Sequence, residues 1–276
     1  MKILVTGANG YLGQGIVKKI LDAGHEVVAS DFSTANIDPS AKAMACNLFE
    51  IEHPYDYFGR PDVLLHLAWR DGFVHFSDAH IDDLPKHYHF IRTMIEEGVP
   101  QVAVMGTAHE IGFFEGAVRE TTPCNPTMPY GISKNALRNL VAEMAAKKGI
   151  PFQWLRGYYI VGNSEFGNSI FSKITAAAKA GQKEFPFTTG QTQFDFLDYE
   201  DFCAQVAAAV GQREVSGIIN ICSGRPEKLA DRVERFIREN RYDIKLAYGA
   251  YPDRPYDSKA LWGSDEKIRK ILENKK

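Results

Sequence analysis

Two residues four positions apart, Tyr130 and Lys134, have side chains that could transfer a proton together. On a helix, positions i and i+4 share one face, so the phenol would lie beside the ammonium group. A neighbouring cation favours the phenolate, and we therefore expect the pKa of Tyr130 to fall towards neutral pH. A phenol tuned in this way donates a proton to a carbonyl oxygen or accepts one from an alcohol. The spacing is common by chance, so its weight depends on what the rest of the chain supplies.

The first part of the chain predicts a dinucleotide-binding turn. A short apolar run at residues 3–5 precedes three glycines, at positions 7, 10 and 13, and a helical pattern follows them. The first glycine permits a tight turn, the second lets the backbone approach a pyrophosphate, and the third lets helix and strand pack closely. Asp31 ends the next apolar run about 20 residues further on, where a carboxylate binds a ribose 2′-hydroxyl.

Bulk properties exclude several classes of protein. The chain has 276 residues, 45% of them hydrophobic, and a net charge of −3, which suits one large α/β domain with or without a small second lobe. Because no basic run stands out, we expect no nucleic-acid partner and no anionic membrane surface. No apolar stretch reaches the roughly 18 residues of a membrane span. The four cysteines form no Cys-x-x-Cys pair and signal-peptide features are lacking, so we expect a cytoplasmic protein.

The order of strand and helix patterns predicts an α/β fold. The two patterns alternate through the first two-thirds of the chain, which is typical of a Rossmann-type, doubly wound parallel sheet with ligands at the carboxyl ends of its strands. After about residue 162 the pattern loosens. We predict an NAD-binding Rossmann domain over residues 1–162 and a smaller mixed α/β substrate lobe over residues 163–276, interleaved with the main sheet.

With these motifs placed, the chain resembles the extended short-chain dehydrogenase/reductase family, which contains nucleotide-sugar epimerases, dehydratases and reductases. The resemblance covers nearly the whole chain. In addition to the glycine turn and the Tyr130/Lys134 pair, the segments that carry it are residues 47–48, 66–69, 156–162, 195–201 and 253–257. These segments differ from the family pattern at several positions: Asn47 stands where the family usually has Asp, Trp69 where it has a second Ala, Gly157 where it has Pro, and Tyr199 where it has Val.

The resemblance implies three catalytic residues, Thr107, Tyr130 and Lys134. Thr107 would donate a second hydrogen bond to the substrate carbonyl and stabilise the charge that develops there. Lys134 would also touch the nicotinamide ribose. The implied cofactor-binding residues are Gly7, Asn9, Gly10, Tyr11, Leu12, Gly13, Asp31, Phe32, Asn47, Leu48, Leu67, Ala68, Tyr130, Lys134 and Tyr158. The candidate substrate-binding residues are Arg70, His109, Asn168 and Arg254.

Each candidate substrate residue has a plainer alternative. Arg70 could bind phosphate or sugar, or pair with Asp71 at the surface. Asn168 could cap a helix, whereas Arg254 matches a family arginine that reaches the nucleotide diphosphate. Three phenylalanines could stack on a base, although core packing is the favoured interpretation: Phe185, Phe187 and Phe194.

The residues after Thr107 narrow the chemistry. In sugar-nucleotide dehydratases this Thr is followed by Asp and Glu, which carry the protons for loss of water. Here Ala108 and His109 follow, and Glu110 lies one position too far along, so we expect no dehydratase. A C4 epimerase needs little beyond Thr, Tyr, Lys and a tightly held cofactor and is not excluded by these residues.

We therefore predict an NAD(H)-dependent reductase or dehydrogenase acting at C4 of a nucleotide-linked 4-keto-6-deoxyhexose, with its nucleotide sugar as partner. The length of the chain and its tail at residues 254–263 favour a reductase over an epimerase. Asp31 would repel a 2′-phosphate, so NAD(H) is preferred and NADP(H) is the alternative. A C4 epimerase and a non-catalytic dinucleotide sensor are the rival functions. The resemblance also implies a homodimer formed through helices.

Five of the eight histidines lie between residues 75 and 109, which raises the question of a metal site: His75, His80, His87, His89 and His109. Their spacings match no common metal motif, and His-Glu-x-x-His is absent. We expect no metal, and we expect these histidines on the surface or on helix faces, with His109 close enough to Thr107 to contact substrate.

Overall fold

The structure is a computed structural model that describes residues 1–162, 164, 169–253 and 258–274. Strands and helices alternate along this part of the chain. The strands are Lys2–Thr6 (β1), Glu26–Asp31 (β2), Lys42–Ala45 (β3), Val63–His66 (β4), Val102–Thr107 (β5), Gly116–Val118 (β6), Phe152–Gly157 (β7), Tyr159–Val161 (β8), Glu184–Pro186 (β9), Gln193–Asp198 (β10), Gly217–Ile221 (β11), Pro226–Lys228 (β12), Lys245–Ala247 (β13) and Ala260–Gly263 (β14). The α-helices are Tyr11–Asp22 (α1), Pro54–Tyr57 (α2), Ala79–Glu97 (α3), Pro129–Lys148 (α4), Ile170–Lys179 (α5), Tyr199–Val210 (α6), Leu229–Glu239 (α7) and Glu266–Glu273 (α8).

The main sheet has seven parallel strands in the order β11-β7-β5-β4-β1-β2-β3. Its central strands are buried on both faces, as their nearly continuous apolar sequences predict; all four residues of β4 are buried. The strand order reverses between β1 and β4, and in such sheets the ligand binds at this point beyond the carboxyl ends of the strands. The predicted Rossmann-type fold is confirmed.

Helices cover both faces of the main sheet. On one face, α1, α6 and α8 pack through side chains such as Ile16, Val206 and Ile268. On the other face, α3 and α4 pack through side chains such as Ile91 and Val141. Because both faces are covered, the carboxyl edge remains the open side of the sheet, where a ligand can enter.

A second region packs around its own aromatic core. Its mixed sheet has the order β12-β10-β14-β6, with β8 paired to β10, and β13 pairs with β9. Phe187 and Phe194 are 1% and 8% exposed within this core, and Phe185 packs against it. Core packing of these rings is therefore confirmed.

The two parts of the chain exchange strands. β11, from the C-terminal part, pairs with β7 in the main sheet, and β6, from the N-terminal part, pairs with β14 in the second sheet. The predicted domain boundary at residue 162 stays a prediction. Within the described residues, no helix combines the length and apolarity that crossing a bilayer requires.

Candidate active site

The glycine turn joins β1 to α1 at the carboxyl edge. Gly7 has φ = 71°, and a Cβ there would lie 2.7 Å from the backbone nitrogen of Ala68. A Cβ on Gly13 would lie 2.3 Å from the Gly7 carbonyl oxygen, so both glycines are required by close backbone contacts. Gly10 begins α1 without a side-chain cap, and the N-terminal N–H groups of a helix attract phosphate. This turn fits a dinucleotide diphosphate.

The predicted ribose carboxylate lies beside this turn. Asp31 accepts hydrogen bonds from the backbone nitrogens of Asn9 (3.0 Å) and Phe32 (2.7 Å), which fix its orientation. The backbone nitrogen of Cys46 bonds to the Asp31 carbonyl, which brings Asn47 to the same edge. Phe32 is 70% exposed there and presents its ring to the solvent.

Asn47 and Leu48 have local structural roles at this edge. The side chain of Asn47 accepts a hydrogen bond from the backbone nitrogen of Phe49 (3.3 Å) and donates one to Glu50 (2.7 Å), and so caps the short 3₁₀ helix Leu48–Glu50. Leu48 is buried. Their predicted contacts with a cofactor remain predictions.

Tyr199 supports the glycine turn from α6. Its hydroxyl donates to the Tyr11 carbonyl oxygen (2.5 Å) and accepts from the Gly15 nitrogen (3.1 Å). In an α-helix these two backbone groups normally form a hydrogen bond with each other. A Cβ on Gly15 would lie 2.5 Å from this hydroxyl. In the sequence, Tyr199 stands out only as a departure from the family pattern. The glycine at position 15, inside a predicted helix, is the second feature that could have indicated this contact.

Thr107, Tyr130 and Lys134 come together at the end of β5. Thr107 is the last residue of β5 and accepts a hydrogen bond from the His109 backbone nitrogen (3.2 Å). Tyr130 lies in the first turn of α4, close enough to Thr107 for that hydroxyl to lower the pKa of the phenol in part. Lys134, one turn further on, is 3% exposed and donates to the Met105 carbonyl oxygen at 2.9 Å. The predicted cluster therefore forms, although the ammonium is directed at the strand and not at the phenol.

Burial dominates the protonation of this pair. It raises the pKa of Tyr130 to about 12, and the hydrogen bond from Thr107 opposes only part of that rise. It lowers the pKa of Lys134 to about 7, against the attraction of the Glu110 carboxylate. The expected fall in the Tyr130 pKa is therefore wrong for this structure, because loss of solvent outweighs an ammonium group that points at Met105.

Aromatic rings and imidazoles enclose the pair. The Lys134 nitrogen lies 4.0 Å from the centre of the Trp69 ring. Trp69 stacks on His87 at 4.5 Å and donates from Nε1 to Nδ1 of His80 at 3.0 Å. His75 lies parallel to the Tyr130 ring, with 5.4 Å between the centroids, and its carbonyl oxygen accepts from the Tyr130 nitrogen.

Most of the histidine-rich segment therefore belongs to the group of rings that encloses Tyr130 and Lys134. His80 and His87 lie on α3 as expected, but on its buried face, where they are 1% and 3% exposed, whereas His89 on the same helix is exposed. His109 lies close to His75 and to Tyr130, at centroid distances of 4.2 and 6.0 Å. Among the residues that the structure describes, no group of three or more His, Cys, Asp or Glu side chains is arranged to hold a metal ion.

Glu110 is buried beneath the site and fully paired. It has no exposed surface, and it accepts hydrogen bonds from Nε1 of Trp154 (2.7 Å to Oε2) and from Nε of Arg156, which is equally buried. Arg138 adds a second cation at 3.9 Å. A carboxylate held in this way does not carry protons to a substrate, and it instead anchors the 3₁₀ helix Ala108–Glu110 that follows Thr107.

The remaining candidates lie at the same edge with partners of their own. Arg70 pairs with Asp83 on α3, and not with Asp71, the ion pair that was one of its two alternatives. Asp71 instead accepts a hydrogen bond from Ser77. The hydroxyl of Tyr158 donates to Asn220 at 3.3 Å, and burial raises its pKa well above the usual value.

The other three predictions concern Leu67, Asn168 and Arg254. Leu67 donates from its backbone nitrogen to the Thr6 carbonyl oxygen, which places it directly beside the glycine turn. Asn168 and Arg254 lie outside the described residues.

Comparison with known proteins decides the family. Residues 3–222 match the model of the NAD dependent epimerase/dehydratase family. The chain belongs to this family. A dTDP-6-deoxy-L-talose 4-dehydrogenase (NAD(+)) from Aggregatibacter actinomycetemcomitans is 41% identical over 270 residues, which are 96% of this chain and 100% of the relative.

Two epimerases are more distant from this member of the family. A UDP-glucose 4-epimerase from Lacticaseibacillus casei is 24% identical over 309 residues, with 99% of this chain and 91% of the relative covered. The solved structure of the Thermus thermophilus UDP-glucose 4-epimerase in complex with NAD has a TM-score of 0.79 at 20% identity and covers 98% of this chain and 92% of that one. This last similarity concerns the fold alone.

Replacing Glu110 with Gln should destabilise the protein, because Arg156 then remains buried without its counter-charge. We expect a loss of about 3–5 kcal/mol in the free energy of unfolding, measured by urea denaturation. Glu143→Gln is the matched control, since Glu143 forms an exposed pair with Lys147 on α4 and its loss should cost about 0.5 kcal/mol or less. Equal stability of the two variants would contradict the anchoring role of Glu110.

Replacing Asp31 with Asn should weaken the preference for NADH over NADPH. The Asn side chain keeps one acceptor oxygen for the turn but removes the charge that repels a 2′-phosphate. The ratio of the dissociation constant of NADPH to that of NADH should therefore fall roughly tenfold. Titrations that follow cofactor fluorescence measure this ratio without any sugar. Asp22→Asn, at the far end of α1, is the control, and an unchanged ratio in Asp31→Asn would exclude the carboxylate as the selective group.

Proposed function

We propose that the protein is an NAD(H)-dependent 4-dehydrogenase, or in the reverse direction a 4-ketoreductase, of a dTDP-linked 6-deoxyhexose. The observation that carries the proposal is the convergence of Thr107, at the end of β5, with Tyr130 and Lys134 on α4, where the Lys134 nitrogen donates to the Met105 carbonyl oxygen of β5 at 2.9 Å. The reaction named for the 41% identical relative, oxidation at C4 of dTDP-6-deoxy-L-talose, supports the choice of substrate class.

The roles of the catalytic residues follow from their positions. When bound, NAD(H) supplies the donor or acceptor of hydride. Thr107 donates a hydrogen bond to the oxygen on C4, and Tyr130 gives that oxygen a proton in reduction or removes one in oxidation. Because the pKa of Tyr130 is raised to about 12, the phenol is protonated at neutral pH, which is the form that reduction requires. Oxidation requires the phenolate, which higher pH favours.

The residues around the glycine turn fit a dinucleotide. A Cβ at Gly7 or Gly13 would overlap neighbouring backbone, which identifies this turn as a site of close approach. We propose that the diphosphate binds at the start of α1, that Asp31 binds the adenosine ribose, and that Lys134 contacts the nicotinamide ribose. The other predicted cofactor residues lie around these positions: Asn9, Gly10, Tyr11, Leu12, Phe32, Asn47, Leu48, Leu67, Ala68 and Tyr158.

The substrate residues are proposed from their place at the open edge. Arg70 is fixed through Nε by Asp83, while its side chain is 59% exposed and can reach a phosphate. His109 lies with Thr107 and Tyr159 on the wall of a small cavity beside the catalytic cluster. Asn168 and Arg254 remain predictions from the sequence.

The assembly and location of the protein are also proposed. We propose a homodimer through α3 and α4, which is supported by the exposed apolar side chains of Ile81, Ile132 and Leu140 on these helices. Sedimentation of the wild-type protein tests the dimer. A cytoplasmic location is proposed from the sequence features alone, and fractionation of the native cells tests it.

The function is tested with dTDP-6-deoxy-L-talose and NAD, following the formation of NADH. We expect turnover by the wild type, and a loss of about 10²–10⁴-fold in kcat for Tyr130→Phe with an unchanged Kd for NADH, because only the proton is lost. Tyr57→Phe, at an exposed position on α2, is the control.

The alternatives give different results in this experiment. Turnover of Tyr130→Phe near the wild-type rate would contradict the mechanism. Stoichiometric NAD released from the denatured wild-type protein, with interconversion of C4 epimers, would indicate an epimerase. A wild type that binds NADH but turns over no nucleotide sugar would indicate a dinucleotide sensor.

A further inference from the structure

The Trp69 ring covers the Lys134 ammonium group. The centre of the indole lies 4.0 Å from the Lys134 nitrogen, which has the Met105 carbonyl oxygen at 2.9 Å as its hydrogen-bond acceptor. An ammonium group at this distance from an indole face is attracted to the ring, and more strongly where water is excluded. Trp69 stands where the family pattern usually has Ala.

The indole is held in place from two sides. Its Nε1 donates to Nδ1 of His80 at 3.0 Å, and Nε2 of His80 bonds to the Val74 carbonyl oxygen at 3.0 Å. These two partners assign the proton of His80 to Nε2, since Nδ1 has to accept. The opposite support is His87, whose ring stacks on the indole at 4.5 Å with an angle of 16° between the planes.

The support beneath the indole is uncharged. His87 is hydrogen-bonded to His66 at 2.9 Å, and His66 to the Thr6 hydroxyl at 2.9 Å. Burial lowers the pKa of His87 to about 3 and that of His66 well below its usual value, so both imidazoles are neutral at physiological pH. The stack therefore brings an aromatic face to Lys134 without adding a second positive charge.

The Glu110 carboxylate does not balance the charge of Lys134 by itself. The Glu110 carboxylate attracts Lys134, but it is already paired with Arg156 and approached by Arg138. Tyr130 is a neutral phenol at neutral pH because burial raises its pKa. The Met105 carbonyl oxygen and the indole face are thus the contacts that stabilise the cation.

We propose that Trp69 is a positioning residue for Lys134, whose π face holds the ammonium group in its charged form at the catalytic site. Only the catalytic meaning of this contact rests on the proposed function. Burial, opposed by the Glu110 carboxylate, brings the pKa of Lys134 to about 7. Attraction to the ring favours the cation, so removal of the ring should lower the Lys134 pKa further, by about one pH unit.

The direct test is an NMR titration of protein labelled with ¹³C at the lysine Cε positions. The Lys134 signal is assigned by its absence in Lys134→Arg, and its midpoint is compared between wild type and Trp69→Leu. We expect a midpoint about one pH unit lower in Trp69→Leu. Trp262→Phe, on β14 in the second sheet, is the matched control and should leave the midpoint unchanged. An unchanged midpoint in Trp69→Leu would overturn the proposal, even if the variant had lost stability.

A second measurement avoids the cavity that Leu creates and applies if Trp69→Leu does not fold. Site-specific incorporation of fluorinated tryptophans at position 69 weakens the π face stepwise while it keeps the shape of the ring and its N–H group. The midpoint of Lys134 should fall with each added fluorine. A midpoint that does not depend on fluorination would show that the ring only fills space.

The alkaline limb of kcat/KM links the contact to catalysis. It should move to lower pH in Trp69→Leu by the same amount as the NMR midpoint, since Lys134 has to be charged to act. If the wild type turns over no sugar but the NMR midpoint moves, the proposed function fails and the role of Trp69 stands. If turnover occurs and neither quantity moves, the role of Trp69 fails alone.

Discussion

The rest of the site depends on keeping one cation in a place that water does not reach. Lys134 is 3% exposed beneath the edge of the sheet, and burial of an ammonium group without compensation is expensive. The structure offers it a carbonyl oxygen from Met105, an indole face from Trp69, and neutral imidazoles behind that face. The same exclusion of water keeps the Tyr130 phenol protonated until a reacting oxygen is in place.

Glu110 limits which reaction this cluster can perform. The family fold accommodates dehydration, epimerisation and reduction, and these differ in which proton carriers surround a common Thr, Tyr and Lys. Here Glu110, the acid after Thr107, is hydrogen-bonded to Arg156 and Trp154, so it stabilises the backbone behind the catalytic hydroxyl. Tyr130 is then the residue that transfers the proton, which suits the interconversion of an alcohol and a ketone.

The sequence predicted those features that depend on local spacing or on the ends of parallel strands. The glycine turn, the position of Asp31, the meeting of Thr107 with Tyr130, the Rossmann-type sheet and the family were all predicted, because each follows from a motif within a few residues or from strand order. Predictions from the sequence were wrong or missing where a side chain's partner is distant along the chain. The hydrogen bond from Tyr199 to Tyr11 spans 188 positions. Arg70 forms its ion pair with Asp83 and not with the adjacent Asp71. The burial of His80 and His87 on α3 was not predicted, because their partners Trp69 and His66 lie on other segments of the chain.

The central claim is that hydride leaves C4 of the sugar while Tyr130 handles the proton. It is tested most directly with dTDP-6-deoxy-L-talose that carries deuterium on C4, incubated with NAD and the wild-type protein. The account predicts that the deuterium appears at C4 of the nicotinamide in the NADH that forms, with none lost to water. NADH without deuterium, or deuterium released into the solvent, would contradict it.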